Sequence, residues 1–344
     1  MKPYWILRHH GSSSIRSIHH DRHSLVVGDE TGAVSIVDLQ HLRPTVGWNA
    51  HTDSVLTVIS LGDHVLTHSR DNNVHLWKLP DSSPALGTLS QVDGAQKPQL
   101  VTSVGVNALN FSRCAYNDAR IAVPNALDAA YIDVIELQSG VRLVEAIGRP
   151  DIKRTAGSRM PIVMSLHLVA GGVVAGYEDG WVKRWTLDGE LVWQTRCHSE
   201  SVMSTAISTK FGVSVGADDR IARFDLLTGE MQLLQTKTPG KASVAIAPDA
   251  NTFVVGAWDG SIRAYSMADL TELGNLSYHS DTVECLEFAS MPNQDDDTDD
   301  DDDDDDDDDS SDRHSSQHTQ PARDNQLVLA AGGRDGKISL WKYF

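Results

Sequence analysis

The stretch Gly332-Gly333-Arg334-Asp335-Gly336-Lys337-Ile338-Ser339-Leu340-Trp341 reads as a strand end, a tight Asp-Gly turn, and a second strand whose aliphatic residues alternate up to a Trp. The same pattern recurs upstream. With Trp341 as anchor, its counterparts are Val37, Trp77, Ile135, Trp185, Phe224 and Tyr265, all bulky and apolar. Three positions before the anchors stand Val34, Val74, Ile132, Val182, Ile221, Ile262 and Ile338, all β-branched, which suits a buried, pleated strand. Six positions before, five of the seven residues are Asp (Asp71, Asp179, Asp218, Asp259 and Asp335), and Asp tolerates a turn and bonds its own backbone there. The anchors fall 40, 58, 50, 39, 41 and 76 residues apart, so a period near 40 survives three insertions.

That period and this strand-turn-strand signature resemble the WD-repeat β-propeller family. The resemblance implies an all-β, seven-bladed WD40-type propeller that fills residues 1–344 as one domain. Residues 4–8 (Tyr-Trp-Ile-Leu-Arg) read as a lone strand; in such propellers it completes the last blade and closes the ring, which removes an exposed sheet edge. Blade three is divergent: Val106–Phe111 is expected as its inner strand, and Pro124-Asn125-Ala126-Leu127-Asp128 stands where other blades carry Gly and the Asp turn. Residues 289–325 split blade seven between its first and second strands. Rich in Asp, Ser, His and Gln, this tract has no apolar surface to bury and is expected to be a disordered acidic insertion.

The net charge is −19, but Asp295–Asp297 and Asp299–Asp309 supply 14 of the negatives, leaving the body near −5. Direct nucleic-acid binding, which needs a basic face, is therefore not expected. No window of 18 uncharged apolar residues is present, so no membrane-spanning helix is expected, and the first residues lack the apolar run of a secretory signal. Cys114, Cys197 and Cys285 are odd in number and share no metal-type spacing, and read as reduced thiols of an intracellular protein.

Blade two is the most regular. His51 opens it, Thr67 lies in its second strand, Asp71 in the turn, and Trp77 ends the third strand. WD-repeat blades link such residues in a hydrogen-bonded structural tetrad. A His-Asp-hydroxyl set is also the composition of a hydrolase triad, but here the hydroxyl would lie within a sheet rather than on an exposed elbow. Copies recur at His198, Ser214 and Asp218, where Phe224 lacks the Trp N–H, and at His279, Asp335 and Trp341, where Ala331 lacks the hydroxyl. Repeated, degrading copies point to architecture, so no catalytic residue is assigned. His9, His10, His19, His20 and His23 cluster in blade one. His19 and His23 would share a face only on a helix, and no Cys or carboxylate stands at ligand spacing, so neither metal nor other cofactor is expected.

Residues just before the Asp-turn position should ring the central opening: Glu30, Arg70, Asp128, Glu178, Ala217, Trp258 and Arg334. Trp258 with Arg70 and Arg334 is the residue mix of interface hot spots and the candidate partner contact. The basic loop carrying Arg149, Lys153, Arg154 and Arg159 should emerge on the same face. Thr298, followed by Asp299, Asp300 and Asp301, resembles the acceptor preference of casein kinase 2-type enzymes and is a candidate phosphorylation site.

Finer detail narrows the resemblance. Leu66-Thr67-His68-Ser69-Arg70-Asp71-Asn72-Asn73-Val74-His75-Leu76-Trp77 has His where most repeats have Gly. With the blade-three stretches above, Ala175-Gly176-Tyr177-Glu178-Asp179-Gly180 and Gly256-Ala257-Trp258-Asp259-Gly260-Ser261-Ile262-Arg263-Ala264-Tyr265, the chain looks like the fungal ASTRA-associated protein 1 family, related to animal G-protein β-subunit-like protein 1. A G-protein β subunit itself begins with a long helix, whereas this chain enters a strand by residue 4. The acid tract departs from the family pattern. The resemblance implies a non-catalytic scaffold in a nuclear assembly that holds a PI3K-related kinase-like protein, RuvB-like ATPases and a three-protein co-chaperone. Its expected roles are chromatin remodelling or regulation and maturation of PI3K-related kinases. It would be monomeric within that complex, in the nucleus, with the cytoplasm as a second compartment. The competing reading is a free-standing recognition module for a histone tail or other peptide. A phosphodegron version would need several Arg converging on one face, and the turn ring offers only Arg70 and Arg334 against Glu30, Asp128 and Glu178.

Overall fold

In the computed structural model, which describes residues 2–21, 23–80, 97–108, 111–150, 159–291 and 326–343, the seven anchors all fall in the third strands of seven four-stranded antiparallel sheets. The first strand, β1 (Trp5–Leu7), stands apart from the blade that follows it. Blade one is β2 (Ile15–Asp21), β3 (Ser24–Asp29), β4 (Ala33–Asp38) and β5 (Arg43–Asn49); blade two is β6 (Val55–Leu61), β7 (His64–Ser69), β8 (Asn73–Lys78) and β9 (Gln99–Gly105). Blade three is β10 (Ala115–Asn117), β11 (Arg120–Pro124), β12 (Ile132–Glu136) and β13 (Arg142–Ile147). Blade four is β14 (Val163–Val169), β15 (Gly172–Tyr177), β16 (Trp181–Thr186) and β17 (Leu191–Arg196). Blade five is β18 (Val202–Ile207), β19 (Phe211–Gly216), β20 (Arg220–Asp225) and β21 (Met231–Gln235); blade six is β22 (Lys241–Ile246), β23 (Thr252–Ala257), β24 (Ser261–Ser266) and β25 (Glu272–Ser277). Blade seven is β26 (Val283–Met291), β27 (Gln326–Gly333) and β28 (Ile338–Lys342), and its fourth strand is β1, whose Trp5, Ile6 and Leu7 pair with Leu340, Ser339 and Ile338. The ring is therefore closed by the N-terminal strand, and the fold is an all-β, seven-bladed WD40-type propeller.

The β-branched residues three before each anchor explain the packing. Val34, Val74, Ile132, Val182, Ile221, Ile262 and Ile338 are each at most 1% exposed, so every third strand plants one stiff side chain between adjacent blades. The turn glycines fix where neighbouring blades meet. Gly32, Gly180 and Gly260 adopt positive φ (90°, 84° and 80°), and a Cβ on them would lie 2.2–2.3 Å from the carbonyl oxygens of His51, His198 and His279 respectively. The Gly32 and Gly180 carbonyls in turn accept the N–H groups of His51 (3.1 Å) and His198 (3.0 Å). Each turn thus positions the histidine of the following blade.

Inner strands are also tied blade to blade. The Ser17 hydroxyl accepts the Val58 N–H (3.0 Å), the Thr57 hydroxyl accepts the Cys114 N–H (3.2 Å), and Ser243 donates to the Val283 carbonyl (2.8 Å).

Two expectations need correction. The inner strand of blade three is Ala115–Asn117, not Val106–Phe111; Val106 instead continues out of β9, with its N–H on the Asn72 carbonyl (2.9 Å). The interruption of blade seven begins later than residue 289, because β26 runs to Met291, where it still pairs with Gln326. The rest of the expected insertion, residues 292–325, lies outside the described residues. No described helix is long and apolar enough to cross a membrane.

Candidate functional site

The histidines positioned by the turns are buried, and their partners define what the blades can do chemically. In blade two, His51 Nδ1 lies 2.9 Å from Asp71 Oδ2 and its Nε2 lies 2.7 Å from Thr67 Oγ1, which also accepts the Trp77 indole N–H (2.9 Å). Blade five holds His198 Nδ1 2.8 Å from Asp218 and Nε2 3.0 Å from Ser214, while Phe224 contributes no donor. In both blades burial pushes the imidazole pKa down while the aspartate beside it pulls the other way.

Blade seven differs from the sequence reading. The hydroxyl missing at Ala331 is supplied by Ser339, the residue directly across the β27–β28 pair. Ser339 Oγ lies 2.8 Å from His279 Nε2 and 2.8 Å from the Trp341 indole nitrogen, and His279 Nδ1 lies 3.0 Å from Asp335. Blade one uses the same substitution. Ser35, across the strand pair from Val27, meets His10 Nε2 at 2.8 Å, and Asp29 meets His10 Nδ1 at 2.8 Å. Asp29 stands two residues ahead of the expected turn position, which Thr31 occupies and from which Thr31 donates to Asp29 (2.7 Å). Part of the blade-one histidine cluster is thereby accounted for. Among the described residues, blade three holds no such histidine–hydroxyl set; its buried Asp133 accepts from Asn125 (2.8 Å) and pairs with Arg142.

His51, Asp71 and His75 bring ligand atoms within 4.8 Å of one another. The two imidazoles are stacked, however, with centroids 4.5 Å apart and planes 5° from parallel. Nitrogen lone pairs lie in the ring plane, so stacked rings direct them side by side instead of at one point. Both nitrogens of His51 are also already engaged, and the set does not fit a metal.

The face carrying the turns between second and third strands, here called the turn face, collects the candidate partner residues. Trp258 is 46% exposed and lies over Gly240, where a Cβ would stand 2.3 Å from the indole. Arg334 is bound to Glu284 (2.9 Å), which also holds Arg16 (3.2 Å). Arg70 instead lays its guanidinium over the Phe111 ring, 4.7 Å from the centroid. Arg149 is exposed just past β13, and Arg159 pairs with Glu178 (3.0 Å). Lys153, Arg154 and Thr298 lie outside the described residues.

One residue that sequence reasoning passed over shapes this face most. Arg113, just ahead of the blade-three inner strand, donates through one guanidinium nitrogen to the carbonyls of Arg16 (2.9 Å) and Glu284 (2.8 Å), which belong to the inner strands of blades one and seven. Its side chain thus crosses the mouth of the central channel. Below it, the half-buried Glu287 accepts the His20 N–H (3.2 Å), and burial pushes its pKa up to about 7. Only a pairing of inner strands across three blades reveals Arg113, and no local signal in the sequence marks it.

Comparison with known proteins agrees with this architecture. Residues 234–266 match the family model for the WD domain, G-beta repeat. The chain is 28% identical to ASTRA-associated protein 1 of Verticillium alfalfae, with 93% of this chain and 87% of that protein covered. It is also 28% identical to the Penicillium rubens protein of that name, covering 99% and 97%. Guanine nucleotide-binding protein subunit beta-like protein 1 of Mus musculus is 27% identical over 93% of this chain and 87% of its own length. Among solved structures, the computationally designed Ika8 protein superposes with a TM-score of 0.63 at 16% identity, covering 96% of this chain and 97% of that one, a likeness of fold alone.

Proposed function

We propose that this chain is a non-catalytic WD-repeat subunit of an ASTRA-type multi-protein assembly. The observation that carries the reading is its similarity, end to end, to proteins named ASTRA-associated protein 1, together with a His-Asp-hydroxyl set that recurs in four blades. A set that is buried, repeated and committed to its own blade supports architecture, not turnover. Within such an assembly the protein is a nuclear scaffold, with partners that include a PI3K-related kinase-like protein, RuvB-like ATPases and a co-chaperone. It serves chromatin regulation and kinase maturation. The competing reading, a free-standing reader of histone tails, is disfavoured by Arg113, which occupies the channel mouth where a peptide end would insert.

Affinity purification of the tagged chain at native abundance, with mass spectrometry, tests the reading. A stoichiometric set containing the kinase-like protein and RuvB-like ATPases is expected. Recovery of the free chain, or of chromatin peptides without that set, would replace the scaffold with the recognition module.

A further inference from the structure

In four blades the second strand carries a glycine at the same position: Gly28, Gly176, Gly256 and Gly332. A Cβ there would lie 2.5, 2.6, 2.7 and 2.5 Å from Val55, Val202, Val283 and Ile15, each the first inner-strand residue of the next blade. The missing side chain is what seats one blade on its neighbour. Blade two has His68 instead, paired with Val74 as Gly332 is paired with Ile338. His68 is fully buried, and neither ring nitrogen has a hydrogen-bond partner.

Ala115 pairs with Ala122 as Ile59 pairs with Leu66 in blade two. Counting back by the same register puts Phe111 where Val55 stands. The imidazole fills that seat, and Phe111 lies outside it, 54% exposed, against Arg70. On the adjoining turn of blade three, Leu127 is 95% exposed, the most exposed large apolar residue described.

Charge is unbalanced in the same sector. Four other cations of the turn face are matched within the chain, Arg16 and Arg334 by Glu284, Arg159 by Glu178, and Lys337 by Asp335, while Arg113 is held by carbonyls. Arg70 and Arg149 have no carboxylate partner among the described residues. Asp53, next to the Arg70 turn, is committed to the Ser54 N–H (2.6 Å).

We propose that the sector formed by Arg70, Phe111, Leu127 and Arg149 docks a partner protein through an acidic segment with an apolar anchor. Leu or Phe side chains of that segment cover Phe111 and Leu127, while flanking carboxylates pair with Arg70 and Arg149. The assignment deepens the subunit reading and rests on it only for the existence of a protein partner.

The test is fluorescence anisotropy of the full chain with a labelled peptide, EEDELFDELDEE, at 0.15 M salt. Two controls are QQNQLFNQLNQQ, which lacks charge, and EEDESSDESDEE, which lacks the anchors. The first peptide should bind at least about tenfold more tightly than either control, a difference of roughly 1.4 kcal/mol. Phe111→Ser, Leu127→Ser and Arg70→Glu should each weaken it severalfold with the melting transition kept, and Trp258→Ser should leave it unchanged. Equal binding of a control, of an oligothymidylate of equal charge, or by Phe111→Ser overturns the assignment, as does absence of binding at millimolar peptide. Binding that appears only when residues 292–325 are replaced by a Gly-Ser linker would show that the chain's own acid tract holds the sector, and also overturns it. Failure here with the tagged chain still recovering its assembly sinks the docking site alone. Peptide binding without an assembly sinks the subunit reading alone.

Discussion

Ala331 and Ser339 face each other across the β27–β28 pair, and the Ser339 hydroxyl joins His279 to Trp341 where a group at position 331 would otherwise do so. Ser339→Ala should therefore leave a buried imidazole nitrogen and a buried indole N–H unpaired, at about 1–3 kcal/mol each. Because the two positions are register partners, adding Ala331→Ser should regain most of the loss. Urea-unfolding midpoints check this, and a double variant as unstable as the single one would show that the hydroxyl cannot be moved across the strands.

The indoles of blades seven and two should differ in weight. Trp341 is 1% exposed, so Trp341→Ala should cost about 3–5 kcal/mol, whereas Trp77, only partly buried, should cost less on truncation to Ala. Both losses belong to stability. A Trp77→Ala protein that kept its melting temperature but lost its co-purifying partners would reassign that residue from structure to binding.

Stability should peak near neutral pH. His9, His19 and His68 are pushed by burial to about 4, 4 and 3, below the ordinary 6.5. As pH falls below about 6.5 the unfolded chain takes up these protons and the folded one does not, so stability is lost. Glu287 works in the opposite sense. Burial raises it to about 7 from 4.5, so the folded chain alone holds its proton between those values, and the contribution is lost as pH rises through 7. Glu287→Gln should raise the melting temperature at pH 8, with the gain shrinking by pH 5. A wild-type profile that climbs steadily to pH 9 and is untouched by this substitution would contradict the assignment.

Residues 292–325 should be dispensable for folding. Met291 and Gln326 are paired, so the two ends of the tract already lie across one ladder, and a short turn can join them. Replacing the tract with a four-residue Gly-Ser turn shortens the loop about eightfold, worth roughly 1–2 kcal/mol in closure entropy at about 0.6 per halving. A soluble, cooperatively melting propeller is expected by calorimetry. Since the change also removes 16 carboxylates, a Glu-Ser linker matched in length and charge serves as control, and aggregation of that control as well would show a role for the tract in folding.

The periodic part of this fold was legible because it is local. A β-branched residue three before a bulky anchor, after an Asp turn, declares a third strand wherever it occurs, and all seven were found that way. The inner strand of blade three is harder to read because its signal is not local. His68 stands where four other blades carry Gly, and Phe111, 43 positions further on, lies exposed against Arg70; only a comparison of blades makes the relation visible. The hydroxyls of Ser35 and Ser339 escaped notice for a related reason. Sequence comparison looks along a strand for the missing group, while hydrogen bonding accepts it from the facing strand at the same height. Of the candidate face, Arg70, Arg334 and Trp258 were visible as residue types, but their engagement with Phe111, Glu284 and Gly240 was not.

The pairing of β1 with β28 has a consequence in time. β1 precedes every other strand of the ring and finds its partner only when all seven blades have been synthesised. At roughly 5–20 residues per second, the interval between Leu7 and Lys342 lasts about 17–70 s. Throughout it the nascent chain carries an unpaired edge at each end of a growing arc, and neither can be satisfied by sequence already made. Proteins that hold such edges apart during translation should therefore matter more to this chain's yield than to its final stability, and moving β1 to follow β28 by circular permutation should shorten that dependence.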